Sequence, residues 1–214
     1  MICPESPVWV IVLVGNSDEL RRSPVGGPET QRENFKMLRY SLIYGGITGA
    51  IVIAILSITI FAFGIDSAGG SQAFGYTLML AVHCVLFVGL KRYRDLELGG
   101  VITFKKGAVL GLAMAVISAV VYAIGWEITL RATDFAFIEN FAQVMIDDIK
   151  AEGLSPSAES AKIAEMEGWM ELYRNPLIRL PMTMTEVLPI GILVALLSAF
   201  ILKNPKVLPA RATA

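Results

Sequence analysis

Three ionisable side chains stand inside long apolar runs of this chain: His83, its single histidine, and the carboxylates Glu127 and Glu186. Ionisable groups are costly in hydrocarbon and, where they occur there, mark proton, ion or ligand paths. His83 lies about nine residues into its run, and its neutral imidazole carries one donor and one acceptor with a pKa that permits a proton relay. The plainer expectation is a neutral ring hydrogen-bonded across helices, to Ser57, Thr59 or Ser118. Glu127 and Glu186 fall near the ends of two successive apolar runs. If those runs are antiparallel neighbours, the carboxylates share a depth at which a pair binds a cation or shares a proton, and Asp66 is a third candidate. Otherwise each acts alone, Glu186 complementing the positive end of its helix and both reaching to water. No metal site is expected, because no second histidine or cysteine cluster accompanies His83. Cys3 and Cys84 are isolated and read as small apolar residues. The chain contains no GxxxxGK[ST], HExxH, GxSxG or CxxC, so no reaction and no cofactor are indicated, and the protein is read as not an enzyme.

The elements that must position these groups are set by the apolar runs. Gly107 to Leu130 carries no charge before Glu127, and about 24 residues at ~1.5 Å each exceed the ~30 Å of a bilayer's hydrocarbon core. Three further runs, about 38–63, 74–90 and 182–202, are also of spanning length. Composition agrees: 55% of the 214 residues are hydrophobic and 17% charged, against about 25% charged for a soluble domain. A net charge of −1 gives no basic face for nucleic acid. Backbone in lipid must satisfy its own hydrogen bonds, so the expected fold class is all-α: an integral membrane four-helix bundle. Pro189 is expected in the first two turns of the last helix, where it adds at most a kink.

Lysine and arginine set the orientation. Bases precede the first run (Arg21, Arg22, Arg32, Lys36, Arg39), and Lys91, Arg92, Arg94, Lys105 and Lys106 lie between the second and third. Lys203, Lys206 and Arg211 follow the fourth. The loop after the first run holds no base, and residues 131–181 are acidic. Both termini are therefore expected in the cytoplasm of a bacterial cell, in its inner membrane. Residues 131–181 become an extracytoplasmic helical hairpin, with Ile138, Phe141, Met145 and Ile149 on one apolar stripe and Ile163, Met166, Met170 and Tyr173 on the other. Ser155-Pro156 supplies an N-cap and first turn; Asn175-Pro176 reads as a stop. Residues 1–37 are read as a disordered or misannotated segment, with the natural start at Met37, and 204–214 as a cytoplasmic tail.

Helices in lipid associate through small residues, supplied here by Gly45 and Gly49, Gly107 and Gly111, and Gly191 and Ala195, most simply as contacts within one chain. Gly46, Ala50 and Ala54 form a second small-residue row on the first helix. The KRYRD cluster from Lys91 to Asp95, with Lys105 and Lys106, either marks topology or recruits anionic lipid headgroups. Trp126 is expected at the interface.

The segment FVGLKRYRDLELGGVITFKKGAVLGL (Phe87 to Leu112), with Asn175-Pro176 and EVLPIGILVALLSAFIL (Glu186 to Leu202), resembles the bacterial membrane proteins of domain-of-unknown-function family 4199. Arg92, Gly99, Gly100, Phe104 and Gly107 are the most distinctive part, and the resemblance covers roughly Leu38 to Lys203. It implies a four-helix membrane domain with a long loop before the last helix, and no activity. The expected role is that of a structural or accessory component whose hairpin meets a membrane-protein partner or a second copy of the chain. The alternative is a small transporter or ion-conducting oligomer with His83, Glu127 and Glu186 converging on one interior path.

Overall fold

The computed structural model describes residues 27–63 and 72–210 of the chain, and every regular element among them is helical. Helix α1 runs Pro28–Tyr40, a π-helical turn covers Ser41–Gly45, and α2 covers Gly46–Phe63. There follow α3 (Gln72–Glu97), α4 (Phe104–Ala132), α5 (Ala136–Ala151), α6 (Pro156–Arg174) and α7 (Pro176–Leu202). Four helical segments, within Glu29–Ala62, Gly75–Glu97, Phe104–Ala132 and Pro176–Leu202, are long and apolar enough to cross a membrane.

Several boundaries differ from expectation. Residues 28–36 belong to α1 instead of a disordered linker: Pro28 and Glu29 suit a first turn, and Arg39 suits the last. The last spanning helix begins at Pro176, six residues before position 182, because Asn175 acts twice. It ends α6, and its Oδ1 then accepts from the Leu177 N–H at 3.0 Å as the cap of α7. Pro189 accordingly lies mid-helix, as does Pro181, and α7 continues past both. The expectations on Asp66, Cys3 and Arg211, and the reading of residues 1–26, lie outside the described residues.

The contacts between α2 and its neighbours start at glycines. A Cβ on Gly45 would lie 2.4 Å from the Met114 carbonyl oxygen, and one on Gly49 would lie 2.4 Å from that of Ser118. Further along, Gly125 meets Ile53, and the hydroxyls of Ser57 and Thr129 are 2.7 Å apart. Residue numbers rise together on both helices, so α2 and α4 are parallel. Gly107 faces Ala199, Gly111 faces Ala195, and Gly191 faces Ala115, which makes α4 and α7 antiparallel. Gly89 receives the Tyr44 ring, and Tyr40 packs edge-on against Tyr93 at 5.2 Å, so α3 is antiparallel to α2. His83 lies against Gly191 and Arg94 reaches the Leu202 carbonyl, so α3 is parallel to α7. Around the bundle the order is α2, α4, α7, α3, with α2 and α7 on the diagonal and without close backbone approach. Helix α4 carries the largest share of the buried residues. The small-residue rows thus serve contacts within one chain. Gly46, Ala50 and Ala54 face outward instead, with nothing within 4 Å of where a Gly46 Cβ would sit.

Alternating directions bring Tyr40, Arg94, Gly107 and Leu202 to one end, together with Lys91, Arg92, Lys105, Lys106, Lys203 and Lys206. The opposite end carries the hairpin of α5 and α6. Ile138 and Ile149 are buried there, but Phe141 and Met145, expected on the same stripe, point away from it at 48% and 37% exposure. Ala142 and Ile146 complete the inward face, since 138, 142, 146 and 149 follow the helical repeat more closely. On α6, Ile163, Met166, Met170 and Tyr173 are all half-buried, as expected.

The backbone contacts give a paired prediction. Gly49→Val pushes a side chain into a carbonyl and is expected to lose about 1–3 kcal/mol, whereas Gly46→Val enters open space. Thermal unfolding in detergent should show a clear drop for the first and little change for the second.

Candidate functional site

The hairpin end of the bundle holds a layer of polar groups contributed by α4, α6 and α7. At its rim, Arg179 of α7 is 2% exposed and uses four of its five N–H donors. Its Nε and Nη2 donate to the two oxygens of Glu127 at 2.5 and 2.7 Å, and Nη1 donates to the carbonyls of Tyr173 and Arg174 at 3.0 and 3.2 Å. The guanidinium lies 5.5 and 5.7 Å from the ring centres of Phe135 and Tyr173. Phe135 gets there because it and Asp134 adopt left-handed backbone, φ +60° and +47°, at the turn between α4 and α5. Non-glycine residues resist that conformation by roughly 1–2 kcal/mol each; the turn is closed by backbone bonds from the Asp134 N–H to the Arg131 carbonyl at 3.2 Å and from the Phe135 N–H to the Leu130 carbonyl at 2.8 Å. Arg179 thereby joins the third span to the end of the hairpin and the start of the fourth span.

Beneath the hairpin, Trp126 is buried and does not stand at an interface: its indole N–H donates to the Tyr173 hydroxyl at 2.9 Å, and Phe137 packs edge-on at 4.9 Å. Burial pushes the Tyr173 phenol above its usual pKa, with the Trp126 bond acting in the opposite sense, so the hydroxyl stays protonated. The Thr183 hydroxyl lies beside it without a well-formed hydrogen bond. One turn deeper, the Tyr122 hydroxyl donates to Glu186 Oε2 at 3.3 Å. Glu186 itself is an exposed position of α7. Val52, Val187, Met79 and Val82 close the apolar side of this layer.

The three intramembrane candidates therefore do not converge. Glu127 pairs with Arg179 and not with Glu186, whose partner is Tyr122. Because α7 starts at Pro176, Glu186 is also three turns inside the helix, too deep to serve its N-terminal dipole or to reach water as a first-turn residue does. His83 is fully buried against Gly191 and Ala115, five residues and about 7.5 Å of helix beyond Glu186. Its Nδ1 lies 2.7 Å from the carbonyl of Met79 in its own helix, so Nδ1 carries the proton and Nε2 is a bare acceptor without a partner. The expected bonds to Ser57, Thr59 or Ser118 are not made: Ser57 meets Thr129, Thr59 donates to the Ile55 carbonyl, and Ser118 is buried unpartnered. Among the described residues no three His, Cys, Asp or Glu side chains group as metal ligands.

At the other end Arg94 departs from its expected part in a headgroup cluster. It is fully buried, donates to Asp95 at 2.7 Å, and donates to the carbonyls of Leu202, Val207 and Leu208, folding residues 203–208 back over the bundle. Lys91 pairs with Asp95, while Arg92 and Lys105 are exposed. Residues 204–210, read as the start of a cytoplasmic tail, are placed against the bundle: Ala210 approaches Gly100, whose φ of +92° together with +64° at Gly99 makes the turn before α4.

Arg179, Tyr122 and Thr183 do not stand out in the sequence as site residues, and Tyr173 is marked there only as part of an apolar stripe. A fourth span starting at 182 leaves Arg179 in the loop, and Tyr122 within an apolar run reads as filling. The available signal was Asn175-Pro176, the same cap-and-first-turn pair as Ser155-Pro156. Compared with known proteins, a family model described as "Protein of unknown function (DUF4199)" matches residues 43–204. No curated protein and no solved structure matches the chain.

The Glu127 and Arg179 side chains are 12% and 3% exposed, so removing one partner strands a buried charge. Glu127→Ala or Arg179→Ala is expected to cost about 3–5 kcal/mol. The double replacement Glu127→Leu, Arg179→Met should cost much less than their sum in the same thermal measurement. Arg94→Ala is expected to release residues 203–208, read as faster proteolytic trimming beyond Leu202.

Proposed function

The chain belongs to the DUF4199 family of proteins of unknown function, and we propose that it is a non-enzymatic structural or accessory component of the bacterial cytoplasmic membrane. Both termini face the cytoplasm in this reading, and the α5–α6 hairpin stands outside as the surface that meets a membrane-protein partner or a second copy of the chain. The bilayer is its other constant neighbour. The gathering of Lys91, Arg92, Lys105, Lys106, Lys203 and Lys206 at the end opposite an acidic hairpin supports the orientation.

One observation carries the interaction role. The hairpin is pinned by Arg179 yet leaves Phe141, Val144 and Met145 exposed at 48%, 51% and 37% on neighbouring positions of α5. A surface presented on a fixed element binds without first having to be ordered. Conduction through His83, Glu127 and Glu186 has less in its favour, because each of the three occupies its own level and its own surroundings.

Photocrosslinkers placed at Phe141, Val144 and Met145 in native membranes test the reading. It expects a discrete protein adduct, with an alkaline phosphatase reporter active after Lys150 and silent after Ala210. Adducts to lipid alone from all three positions would remove the interaction role, and the opposite reporter pattern would invert the orientation.

A further inference from the structure

We propose that the last two turns of α6 lie in the outer interface of the bilayer, with Trp169 at the headgroup level and Leu172 and Leu177 against the acyl chains. The inference rests on the reading of the four long apolar helices as membrane spans. All three side chains are exposed, Trp169 at 56%. Their depth is fixed by two contacts. Trp126 lies about 30 Å along α4 from Lys105 and Lys106, a full hydrocarbon thickness. Its 2.9 Å hydrogen bond to Tyr173 brings the last turn of α6 to that same level. Apolar surface continues outward from there: Ile124 and Ile128 are exposed on α4, and on α2 Phe61 is exposed one turn past Ser57, whose hydroxyl meets Thr129. Trp169, one turn before Tyr173, stands about 6 Å from it along α6, less than the roughly 10 Å by which Phe61 passes the Trp126 level.

The chemistry of α6 changes along its length in the way such an immersion requires. With 3.6 residues per turn, Ile163, Met166, Met170 and Tyr173 face inward, Trp169 and Leu172 form the adjoining flank, and Glu167, Glu171 and Arg174 fall on the far side from that flank. Glu171 and Arg174 pair there at 3.9 Å, both well exposed. On the Trp169 flank itself the first charge is Glu165, one turn farther from the spanning helix, and the exposed Lys162–Glu152 pair lies beyond it. The flank is thus apolar where α6 approaches the level of the spans and charged where it leaves them. An exposed indole beside leucines, at the depth where hydrocarbon gives way to headgroups, is the arrangement that anchors proteins in the interface. The interface position expected of Trp126 falls to Trp169. The surface on α5 offered to a protein partner, Phe141, Val144 and Met145, is separate from this one.

Fluorescence quenching of the full chain in nanodiscs tests the placement. The parent contains Trp9, Trp126 and Trp169, so the emission of Trp169 is the difference between the parent and Trp169→Phe. Discs of phosphatidylcholine brominated near the acyl carbonyls are expected to remove the larger part of that difference, while aqueous iodide removes little. Leu172→Trp in the Trp169→Phe background should behave in the same way and supplies a second reporter on the same flank. Leu193→Trp in that background is the control for the spans themselves, since Leu193 is exposed in the middle of α7. Lipid quenching at Leu193→Trp with iodide quenching at Trp169 would overturn the proposal and leave the membrane reading standing. No lipid quenching at Leu193→Trp would remove both. A Trp169 shielded from lipid and iodide alike would mean that protein covers it, such as a second copy of the chain, and would also overturn the proposal.

Discussion

Helices surrounded by lipid gain nothing by hiding leucines from it, so such a bundle is held by how closely its backbones approach. Here that approach centres on α4. Two of its carbonyls, at Met114 and Ser118, press against Gly45 and Gly49, while its own Gly107 and Gly111 admit the alanines of α7. Every other arrangement follows from those contacts. With α2 and α7 fixed on two sides of α4, α3 can only close the remaining side, which produces the order α2, α4, α7, α3. The outward Gly46, Ala50 and Ala54, one helical face away, show that smallness alone does not mark a contact.

Polar groups then lock the two ends that close packing leaves unspecified. Arg179 and Arg94 do this in the same way, each a buried guanidinium that gathers one carboxylate and two or three backbone carbonyls. A planar head with five donors suits this work in a way that a lysine ammonium does not. Both arginines join segments far apart in the chain: 52 residues separate Arg179 from Glu127, and 113 separate Arg94 from Val207.

The four apolar helices were legible in the sequence because hydrocarbon thickness imposes a length that composition reveals directly. Gly45, Gly49, Gly107, Gly111, Gly191 and Ala195 were legible for the related reason that only small residues permit such contacts. The candidate site was much less so. Its members come from positions 122, 126, 173, 183 and 186, which meet only once a helix start, a left-handed turn at Asp134-Phe135 and the hairpin's fold are all known. Pairing Glu127 with Glu186 failed on a shift of six residues, which admitted Arg179 into the helix and gave Glu127 an opposite charge in place of a like one. His83 is buried within its helix, but its partner is the carbonyl four residues back, a choice that the helix itself always offers.

The clasp of Arg94 on the carbonyls of residues 202–208 also bears on biogenesis. A ribosome finishes α3 more than a hundred residues before those carbonyls exist, so the guanidinium must wait among headgroups or beside Asp95 while two further spans are inserted. This end can be sealed only after the fourth span has been made, and a nascent chain stalled shortly after that span would be inserted but not yet sealed.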